Sequence, residues 1–470
     1  MNKISIPHEL KEFNRIFSQH GYKAYLVGGA VRDTILGKKI SDWDVTTDAT
    51  PQEVTKMFKV VIPTGIAHGT VTVHFMKHEI EVTTFRADQG YSDGRHPDKI
   101  IFAKTIEDDL SRRDYTMNAI AADLSDGSIV DPFNGQKDIK AKLIKTVGNP
   151  HERFMEDGLR PLRGLRFSSQ LGFDIDKDTF NEIFNEEVQK KIGSVSLERF
   201  RDEFEKILRS PKPSHGLRLM EQTGVLKIFI PELAECRGVE QADDRGYHEM
   251  DVLDHCLTAC DGAPKDNLAV RYAALFHDIG KKETRKEVFE ENPSKPSEKI
   301  RVVHFFQHEN VSEKLTRTIL TRIKLSNAQT DKICHLVKEH MFYYEKTWSD
   351  AAVRRFIIRI GIENIDDLFD LRRADTFGKY GVPVDANSET ALNLLEFSDR
   401  IKKIESEKAV LNLKSLAVNG KDLIEAGIAP GKTLGHILNE LFQCVVDDPD
   451  MNSKEKLLPV ALNLYKKISG

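Results

Sequence analysis

Two short stretches near the N-terminus decide the fold of this chain: LVGGAVRD at residues 26–33 and SDWDV at residues 41–45. In the first, an apolar run meets paired glycines, which predicts a strand that turns directly into a helix. The second places Asp42 and Asp44 two residues apart, and residues i and i+2 of a strand point to the same face. We therefore expect a carboxylate pair beside a glycine turn.

This arrangement is typical of nucleotidyl transfer. Neighbouring carboxylates repel each other unless a cation lies between them, and two Mg²⁺ ions held by such a pair serve in-line phosphoryl or nucleotidyl transfer. Glu81, in a later alternating stretch, is a candidate third carboxylate. Gly28 and Gly29 let the backbone approach a triphosphate closely, and Arg32 would lie one turn into the helix, near its positive end.

The spacing of apolar residues changes near residue 150. Before it, alternating stretches such as 70–75 predict a mixed or antiparallel sheet, with helices such as 51–58 around it. After it, apolar residues recur at helical spacing, as in 196–208, where Ser196 is the expected N-cap. A polar stretch at 290–298 is expected to be a loop. The fold class is therefore α+β, with a long helical body behind a mixed head.

Composition excludes several classes of protein. The 470 residues are 40% hydrophobic and 30% charged with a net charge of −5, which excludes a disordered chain and a strongly basic one. Nucleic acid would bind only at local basic patches. The five cysteines are scattered, without a CxxC motif, which disfavours a disulfide framework and a cysteine zinc site. No apolar run suits a signal peptide or a membrane span, so we expect a cytoplasmic protein without a membrane partner.

Three ordered motifs carry a family resemblance. The run LVGGAVRDTILG…SDWDVTTDATP, RRDYTMNA at 112–119 and EDGLRPLRGLRF at 156–167 resemble the tRNA nucleotidyltransferase/poly(A) polymerase family, the class II polymerase-beta-like nucleotidyltransferases. Tyr115 stands for the usual Phe and Gly158 for the usual Pro. The resemblance covers nearly the whole chain. It implies a polymerase-beta-like head at 1–150, an all-α neck at 151–235, an HD-type helical body at 236–380 and a helical, tRNA-binding tail at 381–470.

The third motif suggests how a nucleobase is selected. Arg160, Arg163 and Arg166 recur every three residues, and on a helix Asp157 would lie one turn before Arg160 on the same side. A carboxylate and a guanidinium present an acceptor and a donor fork that match the Watson–Crick edge of cytosine or adenine, whereas guanine and uracil present the opposite pattern. In the family that the chain resembles, these positions select CTP and then ATP.

The second motif adds three candidates for the same pocket. Arg113 is expected to contact the triphosphate or the ribose, because arginine offers paired donors to phosphate. Asp114 is expected to face the same pocket. For Asn118 two roles stay open: contact with the nucleotide, or a bond to the backbone that holds its own loop.

Two further segments bear on what is added to the RNA. Residues 63–71 resemble the CCA-adding form of the family, and no GRRF-like segment of the poly(A)-adding form is visible there. Residues 86–97 are expected to form a mobile loop, which the resemblance links to complete CCA addition, although an inert connection is an open alternative. Lys421 and Lys432 are candidate contacts to tRNA phosphates. The expected partners are CTP, ATP and the acceptor-TΨC half of tRNA, recognised by shape and backbone.

A second site is expected in the body. The ordered set His255, His277, Asp278 and Asp375 resembles the HD phosphohydrolase domain and suits a divalent transition metal. His308 and His340 could bind a second metal or phosphate. The rival functions are therefore a poly(A) polymerase of the same fold and an HD phosphohydrolase whose head only binds RNA. The sequence does not indicate an oligomeric state.

Overall fold

The computed structural model describes the whole chain except residues 1, 39, 41, 67–68, 90–98, 247–249, 294, 408–410 and 470. It contains two compact units. Unit 1 comprises Met1–Ala234 with the short segment Arg322–Lys324, and unit 2 comprises Glu235–Thr321 with Leu325–Gly470.

The head of unit 1 is built on a mixed sheet. Its strands in chain order are β1 (Ala24–Val27), β2 (Trp43–Thr47), β3 (Val61–Gly65), β4 (Thr70–Phe75), β5 (His78–Thr84), β6 (Arg86–Gln89), β7 (Lys99–Phe102), β8 (Ala121–Asp123) and β9 (Ile129–Val130). Seven of them form one sheet in the order β3-β4-β5-β2-β1-β8-β9, while β6 and β7 pair separately. Only the β2–β5 pair of the main sheet is parallel. The expected mixed sheet is confirmed.

Helices cover the head sheet and then take over the chain. In the head they are α1 (His8–Gln19), α2 (Gly29–Ile35), α3 (Pro51–Met57), α4 (Ile106–Ser111) and α5 (Gly135–Ala141). The helical part of unit 1 adds α6 (Pro150–Glu156), α7 (Leu159–Leu171), α8 (Lys177–Glu182), α9 (Glu186–Gly193), α10 (Leu197–Leu208), α11 (Pro213–Gln222), α12 (Val225–Phe229) and α13 (Pro231–Ala234), with one short parallel pair, β10 (Leu143–Ile144) and β11 (Asp174–Ile175).

Local signals explain where these elements begin and which faces they bury. Thr50 forms a capping box with Glu53 at the start of α3, and the Ser196 hydroxyl accepts the backbone N–H of Arg199 at the start of α10. On β4 the alternate residues Val71 and Val73 are fully buried, as their spacing predicts. These elements place the glycine turn and the carboxylates at one end of the two central strands, where β1 finishes and the antiparallel β2 begins.

Unit 2 is mostly helical. Its helices are α14 (Val252–Gly262), α15 (Leu268–Phe276), α16 (Lys281–Thr284), α17 (His308–Arg322), α18 (Asn327–Glu339), α19 (Asp350–Ile360), α20 (Ile365–Tyr380), α21 (Glu389–Ser406), α22 (Gly420–Glu425), α23 (Lys432–Asp447) and α24 (Lys454–Ser469). α14 and α15 are almost wholly buried, and α22 to α24 enclose a separate apolar cluster around Leu441 and Leu457.

One prediction for unit 2 was wrong. Residues 290–298 were expected to be a loop, but most of them belong to an antiparallel hairpin of β12 (Arg285–Asn292) and β13 (Lys295–Phe305). The strands are largely exposed, so their charged residues could not show the apolar alternation of a half-buried strand. Opposite charges face each other across the hairpin, as at Glu291 and Lys299.

Among the described residues, no helix is both long enough and apolar enough to span a bilayer.

Candidate active site and metal centre

The turn at Gly28 is a place where only glycine fits. Its backbone has φ 66° and ψ −131°, a conformation that side chains with a Cβ do not adopt. A Cβ there would also lie 3.0 Å from Nη1 of Arg113 and 4.0 Å from Oδ2 of Asp44. The glycine therefore lets the guanidinium of Arg113 approach the backbone at the start of α2, beside the carboxylate of Asp44.

The predicted carboxylates lie close together on adjacent strands. Asp42 immediately precedes β2 and Asp44 is its second residue, and both line one cavity. Glu81 of β5 is the register partner of Asp44 in the parallel pair. Burial raises the pKa of Asp44, opposed by the charge of Arg113 and reinforced by that of Asp42. Asp44 and Glu81 are both exposed to solvent, although neighbouring protein atoms partly desolvate their carboxyl groups.

Burial, and then the charge of Asp44, likewise raise the pKa of Glu81. Asp42 thus disfavours the ionised form of Asp44, and Asp44 disfavours that of Glu81. A divalent cation bound beside them would stabilise their negative charges. Their hard oxygen donors suit Mg²⁺. Glu81 itself is not among the residues that line the cavity, so it stands beside the site and not inside it.

The cavity has a volume of about 680 Å³ and lies entirely within unit 1. It brings together twelve residues that the sequence singles out: Gly28, Gly29, Arg32, Asp42, Asp44, Arg113, Asp114, Asn118, Asp157, Arg160, Arg163 and Arg166. Arginines greatly outnumber carboxylates in this lining, so the cavity has the electrostatic character that a polyanionic ligand requires. The catalytic and nucleotide-binding roles of these residues remain predictions, because the lining of a cavity shows where the residues lie and not which reaction they serve.

A chain of side-chain bonds connects the head to α7. Arg32 donates to Oδ1 of Asn118 at 2.9 Å, and the Asn118 amide donates to Oδ1 of Asp114 at 3.2 Å. The other oxygen of Asp114 accepts from Nε of Arg163 at 2.7 Å. Asn118 thus connects two side chains across the site. The network fixes the distance between the first turn of α2 and the arginines of α7.

The charge of Asp114 is essential to this network. Its carboxyl is buried, which alone would raise its pKa, but Arg163 and then Arg160 lower the pKa to about 2. Asp114 is therefore ionised throughout the physiological range, and it holds the Arg163 guanidinium in one orientation.

The geometry at Asp157 differs from the predicted helical stripe. α6 ends at Glu156 and α7 begins at Leu159, so Asp157 lies between them in extended backbone (φ −148°, ψ 114°). Its carboxylate accepts both Nη atoms of Arg199, at 3.1 and 2.6 Å. Arg160 pairs with Glu156 and donates to the carbonyl of Arg112. The placement of Asp157 one helical turn before Arg160 was wrong, although both line the cavity.

Close packing explains this break between the helices. A Cβ at Gly158 would lie 2.3 Å from the carbonyl oxygen of Lys191. The glycine therefore lets the junction of α6 and α7 press against the end of α9, where no continuous helix with a side chain would fit.

Six lining residues were not among the predicted site residues, although Arg112, Leu159 and Phe167 lie within the quoted motifs and Arg86 begins the segment 86–97: Arg86, Arg112, Leu159, Phe167, Arg199 and Lys206. Beneath them, the fully buried Asp109 accepts from Arg112 at 2.8 Å and from Arg113 at 3.2 Å. These ion pairs join residues of the short α4 to the loop that follows it. For Arg199, the sequence offered only the expected N-cap at Ser196, three residues earlier. That cap predicts the start of a helix and not the partner of the arginine side chain.

Phe167 forms the apolar base of the arginine group. The guanidinium carbons of Arg166, Arg32 and Arg163 lie 3.8, 5.3 and 5.5 Å from the centre of its ring. Arg166 also pairs with the buried Glu203 at 2.5 Å. The ring face stabilises the clustered positive charge of these arginines, each of which also pairs with a carboxylate: Asp33, Asp114 or Glu203.

Unit 2 contains a second cluster, built from six residues on five helices or their ends: His255, His277, Asp278, His308, His340 and Asp375. Nε2 of His255 lies 3.1 Å from Nε2 of His277, and both lie 3.3 Å from Oδ2 of Asp278. Oδ1 of Asp375 lies 3.3 Å from Nε2 of His255. The four residues predicted for this site are thus adjacent.

The two additional histidines lie on the other side of Asp278. Nε2 of His308 and of His340 are 3.1 and 3.6 Å from Oδ1 of Asp278, and 3.2 Å from each other. Asp278 therefore has one oxygen toward each half of the cluster. This arrangement could hold two cations with Asp278 as the shared ligand.

The imidazoles are oriented as metal ligands usually are. Nδ1 of His277, His308 and His340 each bonds a backbone carbonyl one turn earlier, at 2.9, 2.8 and 2.6 Å. A bond at Nδ1 leaves Nε2 to face the centre of the cluster and fixes the tautomer that a metal requires. The donor set and its orientation therefore fit divalent transition metals.

The electrostatics of the cluster point the same way. Burial would lower the pKa of His277, but Asp278 and Asp375 raise it to about 10. Burial opposes the ionisation of Asp278, but His277 and Lys281 hold its pKa well below the usual range. Lys281 also contacts Asp278 directly, at 2.6 Å. The cluster thus stabilises positive charge, which bound cations would supply in place of protons.

The cluster opens into a cavity of about 500 Å³ within unit 2. Its walls carry the cationic Lys281, Arg372 and Lys379, and the exposed rings of Phe306 and Tyr380. A small anion therefore has access to the cluster along a wall that carries positive charge.

Comparisons with known proteins agree with this geometry. Residues 24–145 match the family model of the poly(A) polymerase head domain, residues 172–237 that of an RNA- and SrmB-binding site of polymerase A, and residues 296–461 that of tRNA nucleotidyltransferase domain 2. A CCA-adding enzyme of Ligilactobacillus salivarius is 32% identical over 470 residues, which cover 98% of each chain. The chain belongs to the CCA-adding enzyme family.

Further members of the CCA-adding enzyme family are similar over the same length. The enzyme of Enterococcus faecalis is 31% identical over 471 residues, 98% of each chain. Among solved structures, that of the Bacillus stearothermophilus CCA-adding enzyme in complex with CTP superposes with a TM-score of 0.73 at 27% identity, again over 98% of each chain. The fold class and the nucleotidyltransferase class predicted for this chain are those of the CCA-adding enzyme family.

Two predicted segments lie partly outside the described residues. In the segment 63–71, residues 67–68 are not described, and in the loop 86–97 nothing is described from residue 90 onward. The described part of the loop pairs as β6 with β7.

Proposed function

We propose that this chain adds CCA to the 3′ end of tRNA without a nucleic-acid template, using CTP and ATP and releasing pyrophosphate. The observation that carries the proposal is the cationic cavity of unit 1, which is lined by Asp42, Asp44, Asp157 and Arg160 together. This shared lining supports a site in which the first two residues hold metal and the last two read the base.

Family membership supports the same reaction. The relatives of Ligilactobacillus salivarius and Enterococcus faecalis that match this chain over its length are CCA-adding enzymes, at 32% and 31% identity. The Bacillus stearothermophilus enzyme, 27% identical, was solved in complex with CTP. We therefore assign CTP as the first nucleotide. ATP can use the same site afterwards, because adenine presents an amino donor beside a ring acceptor as cytosine does.

In the proposed reaction the 3′ hydroxyl oxygen of the tRNA attacks the α-phosphorus, and the bond to the β-phosphate breaks. Asp42 and Asp44 would hold Mg²⁺, with Glu81 beside them. Bound Mg²⁺ supplies activation of the hydroxyl and neutralisation of the leaving pyrophosphate. The glycine turn lets the backbone of α2 approach the triphosphate, and Arg113 donates to its oxygens.

The base would be read by groups outside the head sheet. Asp157 offers an acceptor to the exocyclic amino group, and Arg160 offers donors to the ring acceptor beside it. The Arg32–Asn118–Asp114–Arg163 network holds α7 at a constant distance from the triphosphate site. Since a guanine or a uracil would leave buried groups unpaired in this site, both are excluded.

Recognition of tRNA would rest on shape and backbone. We assign the acceptor-TΨC half as the bound part, with Lys421 and Lys432 as candidate phosphate contacts in the tail. We also keep the division into head (1–150), neck (151–235), body (236–380) and tail (381–470). Since tRNA is the proposed substrate, a cytoplasmic location remains our expectation.

The experiment supplies Mg²⁺ and a tRNA that lacks its 3′ end, with CTP, ATP or both. Two added residues with CTP alone and three with both nucleotides are the expected result. A long ladder with ATP alone would make the chain a poly(A) polymerase and overturn the interpretation of residues 63–71. No addition under any condition would overturn the proposal altogether.

A second activity is proposed for unit 2, because four imidazole Nε2 atoms and both oxygens of Asp278 converge. We infer a metal-dependent phosphohydrolase of the HD type. The donor set would hold divalent transition metals, which supply a nucleophilic hydroxide. Lys281 and Arg372 would bind the phosphate of the substrate.

The test is the double variant His277→Ala with Asp278→Ala, assayed for phosphate release from a phosphomonoester with Mn²⁺, Co²⁺ or Ni²⁺. Loss of release with normal CCA addition is the expected result. Equal release from the double variant and the unmodified protein would refute hydrolysis at this cluster. If the head only bound RNA, phosphate would be released and no nucleotide would be added.

A further inference from the structure

The carboxylate of Asp157 is engaged by an arginine that belongs to another helix. Arg199, in the first turn of α10, donates Nη1 to Oδ1 and Nη2 to Oδ2, at 3.1 and 2.6 Å. The backbone N–H of Leu159 donates to Oδ1 as well, at 3.0 Å. Both side chains are largely enclosed, with 21% of Arg199 and 17% of Asp157 exposed.

These bonds determine how many acceptor positions remain. An ionised carboxylate has about four lone-pair positions, two on each oxygen. Oδ1 uses both of its positions, on Arg199 and on Leu159, and Oδ2 uses one, on Arg199. Among the described residues, nothing occupies the second position of Oδ2. Asp157 therefore offers a ligand one acceptor position.

Arg160 retains donors next to this acceptor. Nη1 donates to Glu156 and to the carbonyl of Arg153, and Nη2 donates once, to the carbonyl of Arg112. A guanidinium has five N–H groups. The described bonds leave donors on Arg160 for a base, so the pair presents one acceptor beside more than one donor.

We propose that Arg199 is a positioning residue that restricts Asp157 to one acceptor and thereby excludes guanine from the base site. The inference rests on the proposed function, because it assumes that Asp157 reads the base. Cytosine and adenine each need one acceptor, for the amino group beside the ring acceptor. Guanine places two neighbouring donors, N1–H and the N2 amino group, on the same edge.

A carboxylate with both oxygens open would accept these two donors side by side. With Arg199 in place, one guanine donor stays unpaired in an enclosed site, at a cost that corresponds to roughly tenfold or more in binding. The N-cap at Ser196 holds the backbone of Arg199, so the fork approaches Asp157 from a constant direction. Neither residue needs to touch the reacting phosphate.

The experiment measures single additions of CTP and GTP to a tRNA that lacks its 3′ end, with kcat and KM determined separately. The variants are Arg199→Met, which removes the fork, and Arg199→Lys, which keeps the charge but donates to one oxygen. Arg209→Lys, at the exposed end of the same helix, is the matched control. Circular dichroism and the unfolding midpoint establish that each variant is folded.

For Arg199→Met we expect the ratio of kcat/KM for GTP to that for CTP to rise by about tenfold or more, mainly through a lower KM for GTP. Arg199→Lys should give a smaller rise and Arg209→Lys none. If turnover is too slow to measure, the ratio of the Kd values for GTP and CTP gives the same readout. An unchanged ratio in both Arg199 variants would overturn the inference.

Asp157→Asn separates this inference from the proposed function. If that variant leaves the choice among the four nucleotides unchanged, Asp157 does not read the base and the proposed base site fails. If Asp157→Asn alters the choice while the Arg199 variants do not, the base site stands and only the role of Arg199 is refuted.

Discussion

Asp44 and Glu81 are register partners in the one parallel strand pair of the head sheet. The parallel pairing brings their side chains to the same face, and burial raises the pKa of both carboxyls. Asp44 lines the cavity and Glu81 does not. The two carboxylates therefore have unequal access to a ligand.

The first prediction follows from this inequality. Asp42→Asn and Asp44→Asn should each lower nucleotide addition by at least ~100-fold, since each removes an oxygen donor of the proposed Mg²⁺ site. Glu81→Gln should cost roughly tenfold, because it alters the charge beside the site and not its lining. The measurement is single-turnover addition of CMP.

Glu79→Gln is the matched control, because Glu79 lies two residues earlier on β5 and is 74% exposed. It should leave addition unchanged. Equal losses in Glu79→Gln and Glu81→Gln would show that general surface charge, and not proximity to Asp44, accounts for the effect.

The second prediction concerns the pH dependence of stability. The pKa of Asp114 is lowered to about 2, so its ionised form stabilises the fold at any pH above its unfolded value near 3.8. This contribution, ~2 kcal/mol, should disappear as the pH falls from about 4 to about 2. Asp114→Asn should lose it at every pH.

Urea denaturation of both proteins from pH 8 downward measures the difference in unfolding free energy. We expect a constant difference down to about pH 5 and a shrinking one below pH 4. A difference that stays constant to the lowest pH at which the protein folds would contradict the assignment. Arg163→Met should remove the same pH dependence, since Arg163 is the partner that lowers the pKa most.

The third prediction tests how α7 is held. The buried Tyr115 hydroxyl donates to the carbonyl of Arg160 at 2.6 Å, and a Cβ at Gly164 would lie 2.4 Å from that hydroxyl oxygen. Tyr115→Phe should cost ~1 kcal/mol of stability through the lost hydrogen bond. Gly164→Ala should cost about 1–3 kcal/mol through overpacking.

The two changes should be less than additive, because removing the hydroxyl relieves part of the overlap at residue 164. A double-mutant cycle on the free energies of unfolding measures this coupling. Strict additivity would show that α7 shifts away from the tyrosine in the Gly164→Ala variant, and would refute the steric account.

The fourth prediction separates the halves of the unit 2 cluster. Asp278→Ala should abolish tight binding of divalent metal, because one carboxylate faces both halves. His340→Ala should remove one of two equivalents, since His340 faces only Oδ1 of Asp278. Elemental analysis after equilibration with Mn²⁺ or Co²⁺ and dialysis provides the count.

His335→Ala is the control, because its ring bonds the carbonyl of Ile360, away from the cluster. It should keep the full metal content. An unchanged metal content in Asp278→Ala would rule out this cluster as the metal site. CCA addition should be normal in all three variants if the two sites work independently.

Much of this protein can be predicted from short-range patterns. The strand, glycine turn and helix at residues 24–35 follow from local residue preferences, and so does the strand that holds Asp44. For His255, His277, Asp278 and Asp375, the resemblance of the ordered set to the HD phosphohydrolase domain predicted one cluster. The strand and helix signals are carried by the residues themselves, because backbone preferences are local properties.

The remaining features depend on contacts between distant parts of the chain. Arg199 meets Asp157 only because α10 packs beside the junction of α6 and α7, and that junction breaks where Gly158 approaches Lys191. The exposed hairpin of β12 and β13 is stabilised by cross-strand pairs that have no apolar alternation. Residue types and spacing determined which chemistry this chain carries; packing between distant helices decided which partner each charged group takes, because ion pairs and close approaches depend on position in space and leave no period in the sequence.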